Sequence, residues 1–213
     1  GKFKISNDTS SEWILTLGHF NSPRANDPGG LTSEEVNLSP KKSARRNIEF
    51  DAGERVQQQN IGVRYRRKFS EKFDVSATAY LIRREFSNKL PFENGGIVDF
   101  ERYAPGVRIQ WIRNGQWGNP RLIFGVDSAL QQDERKRFNN LQGERGGHVF
   151  YQRERVASVG PYLRSEWKPN DNWNYILGIR YDRLWFEVDD FYFMDGNQSG
   201  DRILAEWSGS VGA

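Results

Sequence analysis

Apolar and polar residues alternate with a period of two along most of this chain. In 173–182 the odd positions Trp173, Tyr175, Leu177, Ile179 and Tyr181 alternate with Asn174, Gly178, Arg180 and Asp182. The same rhythm runs through Phe73, Val75, Ala77, Ala79 and Leu81, through Leu122, Phe124, Val126 and Leu130, and through Val159, Pro161, Leu163 and Trp167. Successive side chains of a strand point to opposite faces, so each segment predicts a strand with one apolar and one polar face. Nine strands follow, over 2–5, 12–20, 54–68, 72–88, 97–113, 119–135, 149–168, 172–190 and 201–213. Several exceed the five or six residues usual in soluble sheets.

The connections alternate too. Short turns at "SNDTS", "FSEK", "NGQWGN" and "PND" are interleaved with longer links over 21–53, 89–96, 136–148 and 191–200. An up-and-down sheet with short turns at one end and long loops at the other is the plan of an outer-membrane β-barrel, whose polar face lines a lumen. Aromatics flank the short turns: Trp13 after the first, Phe69 and Phe73 around the second, Trp111 and Trp117 at the third, Trp167 and Trp173 at the fourth. Trp and Tyr favour the bilayer interface, which predicts a membrane-interface girdle of Trp13, Phe73, Trp111, Trp167 and Trp173 in contact with outer-membrane lipid. The competing reading is a soluble β-sandwich binding module with these rings plugging the end of its core.

Composition changes the picture in few places. Mean hydropathy is −0.80, with 36% apolar and 14% aromatic residues. Aromatic content that high argues against a disordered chain, and alternating faces cancel in hydropathy, so the low mean does not oppose a barrel. No apolar run is long enough for a transmembrane helix. Without cysteine there are no disulfides or thiolate metal sites. The 31 Lys and Arg are interleaved with 28 Asp and Glu, leaving no purely basic face for nucleic acid. Odd strand number and a short first strand predict a segment of a larger barrel.

Catalytic readings are weak. His19 and His148 have no metal-ligand spacing. Asp189 and Asp190 are adjacent in a strand and point to opposite faces, so they cannot act as an acid–base pair. "NDT" at Asn7 and "NQS" at Asn197 match glycosylation sequons that would have no role in a bacterial barrel. No enzyme activity, cofactor or metal site is expected.

The stretches "GHFNSPRANDPGGLT", "NIEFDAGERVQQQNIGVRYRR", "KLPFENGGIVDFERYAPGVRIQW" and "VGPYLRSEWKPNDNWNYILGIRYDRLWFEV" resemble the barrel of TonB-dependent outer-membrane receptors, in particular the ferric-citrate and ferric-siderophore group. The resemblance covers essentially the whole chain. It implies location in the bacterial outer membrane, a mid-barrel segment over 1–213, and a plug and TonB box outside it through which TonB would act. A plug-less diffusion porin would share the barrel alone.

A receptor for an anionic ferric chelate needs cations and donors on its polar face, and arginine's planar fork suits carboxylates. Strand parity places Gln58, Asn60, Arg84 and Arg102 inward near the long-loop end, with Arg108, Arg164 and Arg180 deeper. Arg24, Lys41, Lys42, Arg45 and Arg46 charge the first long link.

Overall fold

The computed structural model describes residues 1–5, 10–115 and 118–213. Trp117, Asn7 and most of the "SNDTS" turn lie outside the described residues. Nine strands form one antiparallel sheet in sequence order: β1 (Lys2–Ile5), β2 (Ser11–Asn26), β3 (Gly53–Ser70), β4 (Phe73–Lys89), β5 (Ile97–Arg113), β6 (Arg121–Leu141), β7 (Glu144–Asn170), β8 (Trp173–Asp190) and β9 (Gly200–Gly212). Each pairs only with its sequence neighbours, so β1 and β9 are the edges of an open sheet.

The period of two becomes two chemically distinct faces because the register keeps like parity together. Val75 pairs with Trp111, Trp111 with Phe124, Phe124 with Leu163 and Leu163 with Ile179, all on the apolar face. Leu81, Val107, Phe124, Leu130, Leu163, Leu177 and Ile179 are exposed there. No second layer covers that face among the described residues, whereas a sandwich would bury it against another sheet. From Phe73 to Leu81 the apolar band spans about 27 Å at about 3.4 Å per residue, close to the height of a barrel's lipid-facing band.

Two expected links change. The stretch 136–148 is not a long loop: β6 and β7 continue into it and meet at a two-residue turn, Gln142–Gly143, with φ of 53° and 96°. A tight hairpin turn needs positive φ at both central residues. The sequence hides it because Gln142 is not a usual residue for that conformation. The first link begins only after β2 has run on to Asn26 through an irregularity between Ser22 and Ala25. It contains two short helices, α1 (Ser33–Leu38) and α2 (Arg45–Glu49). Thr32 and Glu35 form a capping box on α1. The Glu35 carboxyl is held down at about 2, first by the Thr32 backbone N–H and then by Lys42.

The long-loop end is tied together at Asn140, which is fully buried. Its Nδ2 donates to the carbonyls of Phe50 at 2.9 Å and Leu90 at 3.0 Å, and its Oδ1 accepts from the Gly143 N–H at 2.7 Å. Beside it, Asp51 accepts hydrogen bonds from Lys89 at 2.7 Å and from Arg24. Those two cations, Lys89 foremost, hold its carboxyl below the usual carboxylate range.

Candidate functional site

The polar face carries a ladder of charges whose members are set by register. Gln58, Arg84, Arg102, Asp133 and Glu154 occupy one row across β3 to β7. Arg102 and Asp133 form a two-pronged ion pair, 2.7 Å at Nε and 2.6 Å at Nη2, with Asp133 only 4% exposed. Gln131 also donates to Asp133, at 3.1 Å, and Arg135 pairs with Glu154 at 2.6 Å.

Arg84 differs from its neighbours. It has no ion pair among the described residues, and its buried Nε finds no hydrogen-bond acceptor. One row further toward the loops, Phe86 and Phe100 stack with ring centroids 5.0 Å apart. The Arg84 and Arg102 guanidiniums lie 5.7 and 5.3 Å from those two rings. Like charges directly opposite each other in a sheet are unfavourable, and here Arg84 faces Arg102. Among the described residues, Arg84, Arg102 and Arg135 share the two carboxylates of Asp133 and Glu154, so the patch has surplus positive charge. An uncompensated guanidinium beside apolar rings can take a planar anion.

The other expected site residues fall on the same face but are otherwise engaged. The Asn60 side chain lies flat across Gly18 of β2, where a Cβ would come within 2.2 Å of Asn60 Oδ1. Arg108 pairs with Asp127 at 2.6 Å, and Arg180 with Asp127 at 2.8 Å and Asp182 at 2.7 Å. Arg164 pairs with Glu166 at 3.0 Å. Arg108, Asp127, Tyr162 and Arg180 line a shallow groove of about 400 Å³. These deeper arginines brace the wall. Their partners Asp127, Glu166 and Asp182 have the correct parity in the sequence, and that was the available signal. Of the cations expected in the first link, Arg24, which lies in β2, and Lys42 are held by Asp51 and Glu35, whereas Lys41, Arg45 and Arg46 have no ion pair among the described residues.

The five expected girdle aromatics, Trp13, Phe73, Trp111, Trp167 and Trp173, sit at the short-turn end of the apolar face and are 37–53% exposed. Trp111 stacks on Phe124, Trp13 packs against Tyr65, and Trp167 and Trp173 both pack against Tyr175.

Comparison with known proteins adds the context. A family model described as TonB dependent receptor-like, beta-barrel, matches residues 3–213. Among solved structures, the unliganded ferric citrate transporter FecA superposes with a TM-score of 0.82 at 13% identity, covering 98% of this chain and 31% of that one. The alcaligin outer membrane receptor FauA from Bordetella pertussis gives 0.70 at 9% identity, covering 98% and 30%. The copper transporter OprC gives 0.69 at 14% identity, covering 98% and 32%. This chain thus spans about a third of the length of those proteins, and identities this low speak for the fold alone.

Proposed function

From the premise that the chain belongs to the TonB-dependent receptor-like β-barrel family, we propose that it is a wall segment of an outer-membrane receptor for TonB-dependent uptake of an anionic ferric chelate, citrate or siderophore. Residues 1–213 supply nine strands, and the remaining strands, the plug and the TonB-engaging region come from the rest of the receptor. The apolar face meets lipid, with Trp13, Phe73, Trp111, Trp167 and Trp173 at the interface nearest the short turns. The polar face lines the lumen, and ferric chelate enters from the long-loop end.

The observation that carries the ligand reading is Arg84, an arginine without an acidic partner among the described residues, under a stacked Phe pair. Gln58 adds an amide in the same row. Arg102 orders the patch through Asp133, and Asn60, Arg108, Arg164 and Arg180 form the wall beneath it. A charge-assisted hydrogen bond is worth about 1.5–3 kcal/mol. In the full receptor, Arg84→Gln is therefore expected to weaken ferric citrate or ferric siderophore binding about 10-fold or more by calorimetric titration, with the yield of folded barrel unchanged. Unchanged affinity for every anionic chelate, or a cationic cargo, would sink the assignment.

The membrane reading has its own test. Val107 lies mid-band on the apolar face, midway along β5 between Trp111 and Tyr103, and is 41% exposed. An arginine at the bilayer midplane of a barrel costs about 2–4 kcal/mol. Val107→Arg should therefore lower folding stability of the full receptor in lipid vesicles by that amount. On a water-facing sheet the same change would be nearly neutral.

A further inference from the structure

The apolar face changes chemistry abruptly at its upper edge. Arg83, Tyr103, Gln132, Arg155 and Glu187 form one row across β4 to β8, and Glu85, Glu101, Glu134, Arg153 and Asp189 form the next. All have the parity of the apolar band below them. If that band meets hydrocarbon, as the membrane reading holds, these rows lie at the level of the outer-leaflet headgroups.

Most of the charges neutralise one another. Arg83 lies 2.7 Å from Glu101, Lys136 lies 2.9 Å from Glu134, and Arg155 lies 3.0 Å from Glu187 and 3.5 Å from Asp189. Arg153 and Arg183, on neighbouring strands, have no ion pair among the described residues. The Arg153 guanidinium lies 5.4 Å from the Phe191 ring, and its buried Nε lacks an acceptor. Arg183 is exposed within the top of the apolar band, opposite Val159 and Ala205, with its guanidinium 5.1 Å from the Trp185 ring. A cation at that depth lays its stem along apolar surface and carries its charge toward the headgroups. Between and above the two arginines, Trp185, Tyr151 and Phe191 supply ring surface, the last two with centroids 4.9 Å apart.

We propose that the strip of β7 and β8 from Arg183 to Arg153 binds the phosphorylated sugar headgroup of an outer-leaflet glycolipid. Arg183 and Arg153 lie at the two ends of the strip, six residues apart in register. One small phosphate cannot reach both, whereas a sugar headgroup with a phosphate at each end can, its rings resting on the aromatics. Arginine is suited to phosphate because its fork donates two parallel hydrogen bonds. Arg155 is occupied by Glu187 and Asp189 and contributes no free charge.

The test uses the full receptor in phosphatidylcholine nanodiscs doped with lipid A, a bisphosphorylated glucosamine disaccharide, with dephosphorylated lipid A, or with phosphatidylglycerol. Lipid retained on the protein is counted by native mass spectrometry. Wild type should retain lipid A, and Arg153→Gln with Arg183→Gln should reduce retention at least 10-fold, while Arg153→Lys with Arg183→Lys keeps part of it. Dephosphorylated lipid A and phosphatidylglycerol should be retained no better than bulk lipid. Equal retention by wild type and the glutamine variant, or equal retention of phosphatidylglycerol and lipid A, would overturn the proposal while leaving the membrane reading intact. Failure of the receptor to enter plain phosphatidylcholine nanodiscs would overturn both.

Discussion

Replacing Arg102 by glutamine is expected to destabilise the folded receptor by about 3 kcal/mol, because breaking one side of a buried ion pair strands the other charge. Asp133 is 4% exposed and depends on Arg102 for its two shortest hydrogen bonds, with only Gln131 left when the guanidinium is gone. Urea-induced unfolding of the full receptor in vesicles measures the loss. The double replacement Arg102→Leu with Asp133→Leu should recover most of it, since removing both charges also removes the need to solvate either. Arg84→Gln should leave stability within about 0.5 kcal/mol of wild type, as expected for a side chain outside the bracing network. If the Arg102 variant lost less than about 1 kcal/mol, the nearby Arg84 would have taken over Asp133, and the division between a bracing and a ligand-facing arginine would fail.

The second large effect should come from Asn140→Ala at the long-loop end. The change leaves the carbonyl of Phe50 and the N–H of Gly143 without partners inside a buried site, and takes from the Leu90 carbonyl one of its two hydrogen bonds, the other coming from the Phe92 N–H. Each stranded buried group costs about 1–3 kcal/mol. The whole cost, about 2 kcal/mol or more for the two stranded groups, falls on the packing of three connections against one another rather than on the membrane-level strands. The expected result is faster amide exchange and protease cutting around Phe50, Leu90 and Gly143, with the barrel still folded. Asn140→Asp should fail similarly, because a carboxylate cannot donate to the two carbonyls. Protection at Phe50 and Leu90 equal to wild type would show that the loops hold together without this side chain.

Much of the architecture was legible in residue order. A period of two sustained along the strands places each strand's Arg, Trp and Leu residues on a face, and turns between neighbouring strands make an antiparallel meander the only short path. Hence the apolar set from Phe73 to Leu81, the aromatics beside the turns, and the inward parity of Arg84 and Arg102 could all be read before any coordinates. Parity fails where a strand's continuation depends on its neighbour. Residues 136–148 read as loop because charges and glycines dilute the pattern, yet hydrogen bonds to the adjoining strand and the closure of the Gln142–Gly143 turn by Asn140 carry β6 and β7 through them.

Which arginine is free was likewise beyond the sequence. Arg84, Arg102, Arg108, Arg164 and Arg180 all carry the same charge on the same face. The register sets Asp133 beside Arg102 and Asp127 beside Arg108, while Arg84 stands between Gln58 and Arg102 and forms no ion pair among the described residues. The local pattern determined the face of each residue because alternation is a property of one strand. Its partner was decided by the tertiary structure, because pairing across strands depends on where the turns set the register, and a shift of one residue would exchange every neighbour.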